Sequence, residues 1–169
     1  RDGAVSGNKC NKNFLIMNGH IRECRYPGFD SNYQNCCRAD AAGHHPIPGS
    51  DWEKGCSHTE WHTDKARCDN LLHAVGSYCS TWLYVQERLC VSRRLVYCRF
   101  FSPIATIVHE QGRPHLKSFY EENRQIWGEI ADQMPGVWGS GKNPICRGFY
   151  PSEFQMLDVA RMDLSGAAG

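Results

Sequence analysis

The sequence predicts an α+β fold: a small, disulfide-rich unit with a short three-stranded antiparallel sheet, three to four helices and long cross-linked loops. Three observations predict it. The chain carries ten cysteines in 169 residues, far more than a reducing compartment usually tolerates without metal. The stretch from Tyr78 to Phe101 is dense in aromatic and β-branched residues, the strand signature. Finally, Ser57 and Ser102 each open a segment with the chemistry of a helix N-terminus.

Charge and size narrow the function classes. Nineteen Lys and Arg stand against 18 Asp and Glu, for a net charge of +1, so the chain lacks the basic field that holds nucleic acid. The longest apolar run is about five residues, too short to span a bilayer. The chain begins Arg1-Asp2-Gly3, so any targeting segment has been removed or lies outside the sequence. A chain of this length buries roughly 70% of its unfolded surface, enough for one domain. The expected organisation is a single unit over 1–169. A loop-rich part covers about 1–76, and the meander with its helices covers about 77–169.

In chain order, residues 1–13 read as a polar arm tied down by Cys10. Phe14 to Met17 reads as a strand and Asn18-Gly19 as a hairpin turn, with Ile21 to Arg25 as the partner strand. Residues 26–52 form a loop too long to be structureless in a compact unit unless it is cross-linked. Cys36 and Cys37 supply the links, each to a different partner, because disulfide geometry needs separated Cα atoms. Ser57-His58-Thr59-Glu60 is a capping box. The helix it opens is expected to reach Val75 and stop at Gly76, burying Trp61, Cys68, Leu71, Leu72 and Val75.

Tyr78 to Val85, Arg88 to Ser92 and Leu95 to Phe101 read as a three-stranded meander, turning at Gln86-Glu87 and Arg93-Arg94. Ser102 caps the next helix and Pro103 fills its first turn. Ile104, Ile107 and Val108 form its buried stripe, and Gly112 ends it. His109 sits near that end, where an imidazole meets the helix dipole favourably. Leu116 to Met134 is a second helical pattern, stopped by Pro135-Gly136. A loop anchored by Cys146 follows, then a short helix from Pro151 to about Asp158, and a tail from Ser165 expected to fray.

Chemistry is sparse. Cys10, Cys24, Cys36, Cys37, Cys56, Cys68, Cys79, Cys90, Cys98 and Cys146 are all expected to form disulfides, an even set with about 945 possible pairings. Catalytic, cofactor-binding and metal-binding residues are expected to be absent. The strongest rival is a zinc site built on Cys56, His58, His62 and Cys68, since histidines four apart share a helix face. The pattern is not HExxH, so no general base is placed as in a zinc protease. His44-His45 reads as loop surface. No Cys-x-x-Cys motif and no phosphate-cradling glycine loop occur. The 19 aromatic residues divide between core, disulfide packing and a protein-contact surface.

A family resemblance runs through these motifs. Tyr78-Cys79-Ser80, Leu89-Cys90-Val91, Tyr97-Cys98 and Ser102–Leu116 occur in the order seen in the C-terminal region of the TraN family. These are the mating-pair stabilisation proteins of F-type conjugative type IV secretion systems. Trp138-Gly139-Ser140, Lys142-Asn143-Pro144, Cys146 to Phe149, Leu157-Asp158 and Asp163 to Ser165 extend the resemblance, as do Cys24-Arg25 and Asn35-Cys36-Cys37 upstream. It covers roughly residues 20–166. The resemblance implies an exported, disulfide-bonded, non-enzymatic protein of the periplasm, outer membrane or cell surface of a Gram-negative bacterium. Its partners would be other components of the apparatus and a recipient outer-membrane protein, without direct nucleic-acid binding. The alternative is a disulfide-rich surface or filament-associated protein with no part in DNA transfer. Family members usually carry two adjacent cysteines where this chain has Cys98-Arg99, which implies that one bridge is missing or rerouted. Their recipient-recognising part is a variable segment ahead of this region, for which the chain has little room.

Overall fold

The structure, a computed structural model, describes residues 5–6, 9–10, 14–28, 35–37, 56–84 and 87–167. Two residue pairs form a minimal ladder, β1 (Val5–Ser6) against β2 (Lys9–Cys10). The main sheet has three antiparallel strands: β3 (His20–Pro27), β4 (Leu72–Tyr84) and β5 (Arg88–Arg99). Their order is β3-β5-β4. The α+β class and the three-stranded antiparallel sheet therefore stand, but the meander does not. Arg93 and Arg94 lie in mid-strand, opposite Tyr26 and Arg25 on one side and Cys79 and Tyr78 on the other. The expected second and third strands are one long strand, and the third member of the sheet comes from residues 20–27.

That leaves Asn18-Gly19 without a hairpin. Ile16 instead bridges Phe149 through a reciprocal pair of backbone hydrogen bonds. The Asn18 Oδ1 accepts from the Gly148 N–H at 2.9 Å. Gly19 is required for close approach: a Cβ there would lie 2.7 Å from the Cys146 carbonyl oxygen and from the Phe100 ring. The turn signal was a packing signal.

Helix α1 (His58–Cys68) opens as expected. Ser57 Oγ accepts from the Glu60 N–H, and the Glu60 carboxylate accepts from the Ser57 N–H. It ends seven residues before Val75, because Asp69 caps it and Asn70 turns the chain at φ 55°. Leu72 and Val75 lie in β4 instead, and Cys68 is exposed rather than buried. Helix α2 (Pro103–Gly112) starts with Ser102 Oγ accepting from the Ala105 N–H. Its buried stripe is Ala105, Val108, His109 and Gly112, one position on from the expected stripe, and Ile104 is exposed.

Helix α3 (Lys117–Trp127) stops where Gly128 takes φ 58°, a conformation other residues rarely adopt. A 3-10 stretch, Gly128–Gln133, replaces the rest of the expected helix. Helix α4 (Pro151–Gln155) is a single turn. Ser165–Ala167 form a 3-10 turn beside α2 where fraying was expected. The main core gathers Val108, Leu116, Phe119, Val137, Ile145 and Phe149. A second cluster, Cys98, Phe100, Ala105 and Cys146, joins the sheet to the helices. The expectations for His44-His45, the Cys10 side chain and most of the 26–52 loop lie outside the described residues.

Candidate interaction surface

Four disulfides frame the described residues: Cys24–Cys37, Cys36–Cys56, Cys79–Cys90 and Cys98–Cys146. The adjacent Cys36 and Cys37 thus take different partners. One tethers the segment to β3 and the other to the entry of α1. Cys79–Cys90 crosses the β4–β5 hairpin where the register slips between Cys79, Thr81 and Trp82. Cys98–Cys146 ties β5 to the C-terminal loop across 48 residues.

The hairpin outruns its third strand. β3 ends with Pro27 opposite Ser92, and the Gly28 N–H adds a hydrogen bond to the Val91 carbonyl. Beyond that point β4 and β5 continue, among the described residues, as a two-stranded ribbon. On it Trp82 is 36% exposed, Leu83 48%, Tyr84 71% and Leu89 49%. Residues directly opposite share a face of a sheet. Leu83 opposite Leu89 therefore makes one face aliphatic, and Tyr84 opposite Arg88 makes the other aromatic and cationic. The Arg88 guanidinium lies 3.8 Å from the Trp82 ring centroid and 6.0 Å from that of Tyr84. Cation–π contact of this kind orders an exposed aromatic pair. Among the described residues the ribbon therefore carries large exposed apolar groups on both faces, which makes it the candidate contact surface. The sequence flagged only the strand. The missed signal was the unbroken Trp82-Leu83-Tyr84, which does not alternate as a half-buried strand does.

A second feature missed in the sequence holds the base in place. Arg113 is fully buried. It donates to His109 Nδ1 at 2.9 Å and to the carbonyls of Ile145 and Arg147. Its guanidinium stacks 3.9 Å from the Trp138 centroid and 4.5 Å from Phe119. His109 Nε2 donates to the Met17 carbonyl at 2.7 Å, so the ring is the neutral tautomer with Nδ1 free to accept. Burial, with Arg113 next, drives the His109 pKa down to about 2. His109 does lie in the last turn of α2, but its ring is a core group joining α2 to Met17 and the loop rather than a cap on the helix carbonyls. Arg147, stacked 4.0 Å over Phe119, chelates Glu153 and donates to Glu122.

The rival zinc set is only partly assembled. His58 and His62 face each other with ring centroids 4.3 Å apart. Cys56, however, is bonded to Cys36, and Cys68 lies ten residues beyond His58, about 15 Å along the helix. Sulfurs of Cys36 and Cys56 and a Glu60 oxygen lie within 4.8 Å of one another, but a disulfide offers no thiolate to a metal. His73 and His109 are hydrogen-bonded to Glu110, Met17 and Arg113, not to a serine or cysteine nucleophile. No helix among the described residues is long and apolar enough to cross a membrane.

A three-stranded sheet cross-linked by four disulfides, with an exposed apolar hairpin end, defines a disulfide-framed α+β module. Residues 3–150 match the family described as F-type type IV secretion system, TraN, and the chain belongs to that family. It is 28% identical over 135 residues to the mating pair stabilization protein TraN of Escherichia coli strain K12. That match covers 80% of this chain but only 18% of the relative's length. No solved structure matches.

Proposed function

We propose that this chain is an extracytoplasmic, non-enzymatic component of a conjugative type IV secretion apparatus. It stabilises donor–recipient mating pairs through protein–protein contacts at the outer membrane, alongside other components of the apparatus. The observation that carries this reading is the β4–β5 tip, where Trp82, Leu83, Tyr84 and Leu89 stand exposed. Aromatic and arginine anchors of this type dominate protein-contact energetics, and the Cys79–Cys90 bridge holds them pre-ordered. Four disulfides fit an oxidising compartment outside the cytosol.

The test is conjugation from a donor whose copy carries Trp82→Ala with Tyr84→Ala, beside a donor lacking the gene. Transfer in liquid is expected to fall at least tenfold in both, with less loss on a solid surface that holds cells together. Undiminished transfer from the deletion donor would instead favour the surface or filament protein unconnected with DNA transfer. All ten cysteines are proposed to be oxidised. Cys68 is the one unpaired cysteine among those whose side chains are described, and an even set then assigns it Cys10. Non-reducing intact mass is expected about ten hydrogens below the reduced value, two for each bridge. A deficit of eight hydrogens refutes the fifth bridge.

A further inference from the structure

Two arginines each bury a side-chain donor that has no acceptor. The Nε atoms of Arg22 and Arg99 are both buried, and neither makes a hydrogen bond. Arg99 lies opposite His20, and Arg22 lies opposite Tyr97 two rungs along. The register thus sets both guanidinium stems on one face of neighbouring strands, diagonal to each other. Helix α1, which carries His62, packs along β3. The His62 pKa is lowered by partial desolvation first, then by its neighbours His58, Arg99, Lys65 and Arg22.

The acids on these elements are committed elsewhere. Glu60 is held by Arg25, Glu23 by Arg94 and Tyr78, and Asp64 by Arg67. Buried donors are nearly always satisfied, and an orphan marks a missing partner. Here that partner must also offset repulsion between the two guanidinium groups.

We propose that Arg22, Arg99 and His62 form a binding site for a phosphate group, reached from solvent past the exposed His62 ring. Guanidinium forks and an imidazole match a tetrahedral oxyanion, each donating a charge-assisted hydrogen bond to a separate oxygen. The phosphate comes either from free solution or from a lipid headgroup, and one experiment separates the sources.

The full oxidised chain is titrated with inorganic phosphate and, at matched ionic strength, with chloride, following the melting temperature and the phosphorus NMR signal. A saturable response to phosphate alone is expected, half complete at or below about 1 mM. Arg99→Gln and Arg22→Gln are each expected to weaken it about tenfold or more. Arg161→Gln, at an exposed residue paired with Asp158, is expected to leave it unchanged. In chloride the two site variants are expected to melt at or above the wild-type temperature, because each removes an unsatisfied buried donor. A lower melting temperature in chloride would make the arginine a structural group and overturn the proposal. So would equal responses to phosphate and chloride, or equal phosphate affinity in wild type and both variants. Retention of the wild type, but not of Arg99→Gln, on phosphatidylcholine vesicles containing phosphatidic acid assigns the headgroup. Phosphate binding without vesicle retention assigns the free ion.

Discussion

Arg113 is the residue on which the C-terminal half turns. Its guanidinium satisfies His109 and the backbone carbonyls of Ile145 and Arg147 at once, with two aromatic rings against its faces. Burial, then Arg147, pulls its pKa down to about 9, so it remains charged at neutral pH. Arg113→Met keeps the stem but strands these buried acceptors, each worth about 1–3 kcal/mol. Urea denaturation is expected to show a loss of about 3 kcal/mol or more. A loss under 1 kcal/mol would mean that water replaces the guanidinium. His109 makes the pH dependence specific. Its folded pKa, about 2, lies below the ordinary 6.5, so the unfolded chain takes up the proton first and stability falls on acidification. The fall begins as pH drops through 6.5 and steepens toward about 1.4 kcal/mol per pH unit. Glu60, for which burial opposes but hydrogen bonds from Arg25 and Ser57 prevail, sits at about 2 against 4.5. Its contribution is present above 4.5 and is lost only below that. Between pH 6.5 and 5 the His109→Gln variant is therefore expected to show a flatter stability profile than wild type, which titrated urea melts will read directly.

At the scale of elements, the four bridges differ in what they close. In the chain-entropy account the 11-residue Cys79–Cys90 loop contributes about 3 kcal/mol and the 48-residue Cys98–Cys146 loop about 4 kcal/mol. Cys98 and Cys146 are also core residues. Replacing that pair with alanine is expected to cost more than replacing Cys79 and Cys90 with serine, and the order of the two denaturation midpoints checks it. The same comparison separates what local chemistry reveals from what it hides. Both serine caps, the Ser102-Pro103 start and the divided fates of Cys36 and Cys37 were legible, because each depends on neighbours in sequence. The strand running through Arg93-Arg94 was not. Two adjacent arginines resemble a turn until β3, some 70 residues upstream, supplies the pairing partner and Glu23 takes the Arg94 charge. Asn70 likewise ended α1 early through a positive φ that its residue type permits but does not announce. The contact tip was half visible: its strand could be read, its solvent exposure could not, because exposure depends on where β3 stops.

For the molecule as a whole, charge and shape divide the work of recognition. A net charge of +1 gives no long-range field to steer an encounter. On the proposed function, affinity then comes from short-range burial at the tip, with one aliphatic face from Leu83 and Leu89 and one aromatic face ordered by Arg88. An interface of this composition is screened little by salt, in contrast to one built on rim ion pairs. Mating aggregates between donors and recipients are therefore expected to persist, within about twofold, when sodium chloride is raised from about 50 to about 300 mM. Trp82→Ala should remove them at both concentrations while leaving the melting temperature nearly unchanged, because Trp82 belongs to none of the core clusters. If the aggregates instead dissolve as salt rises, the contacts are ionic and the apolar tip is not the surface that makes them.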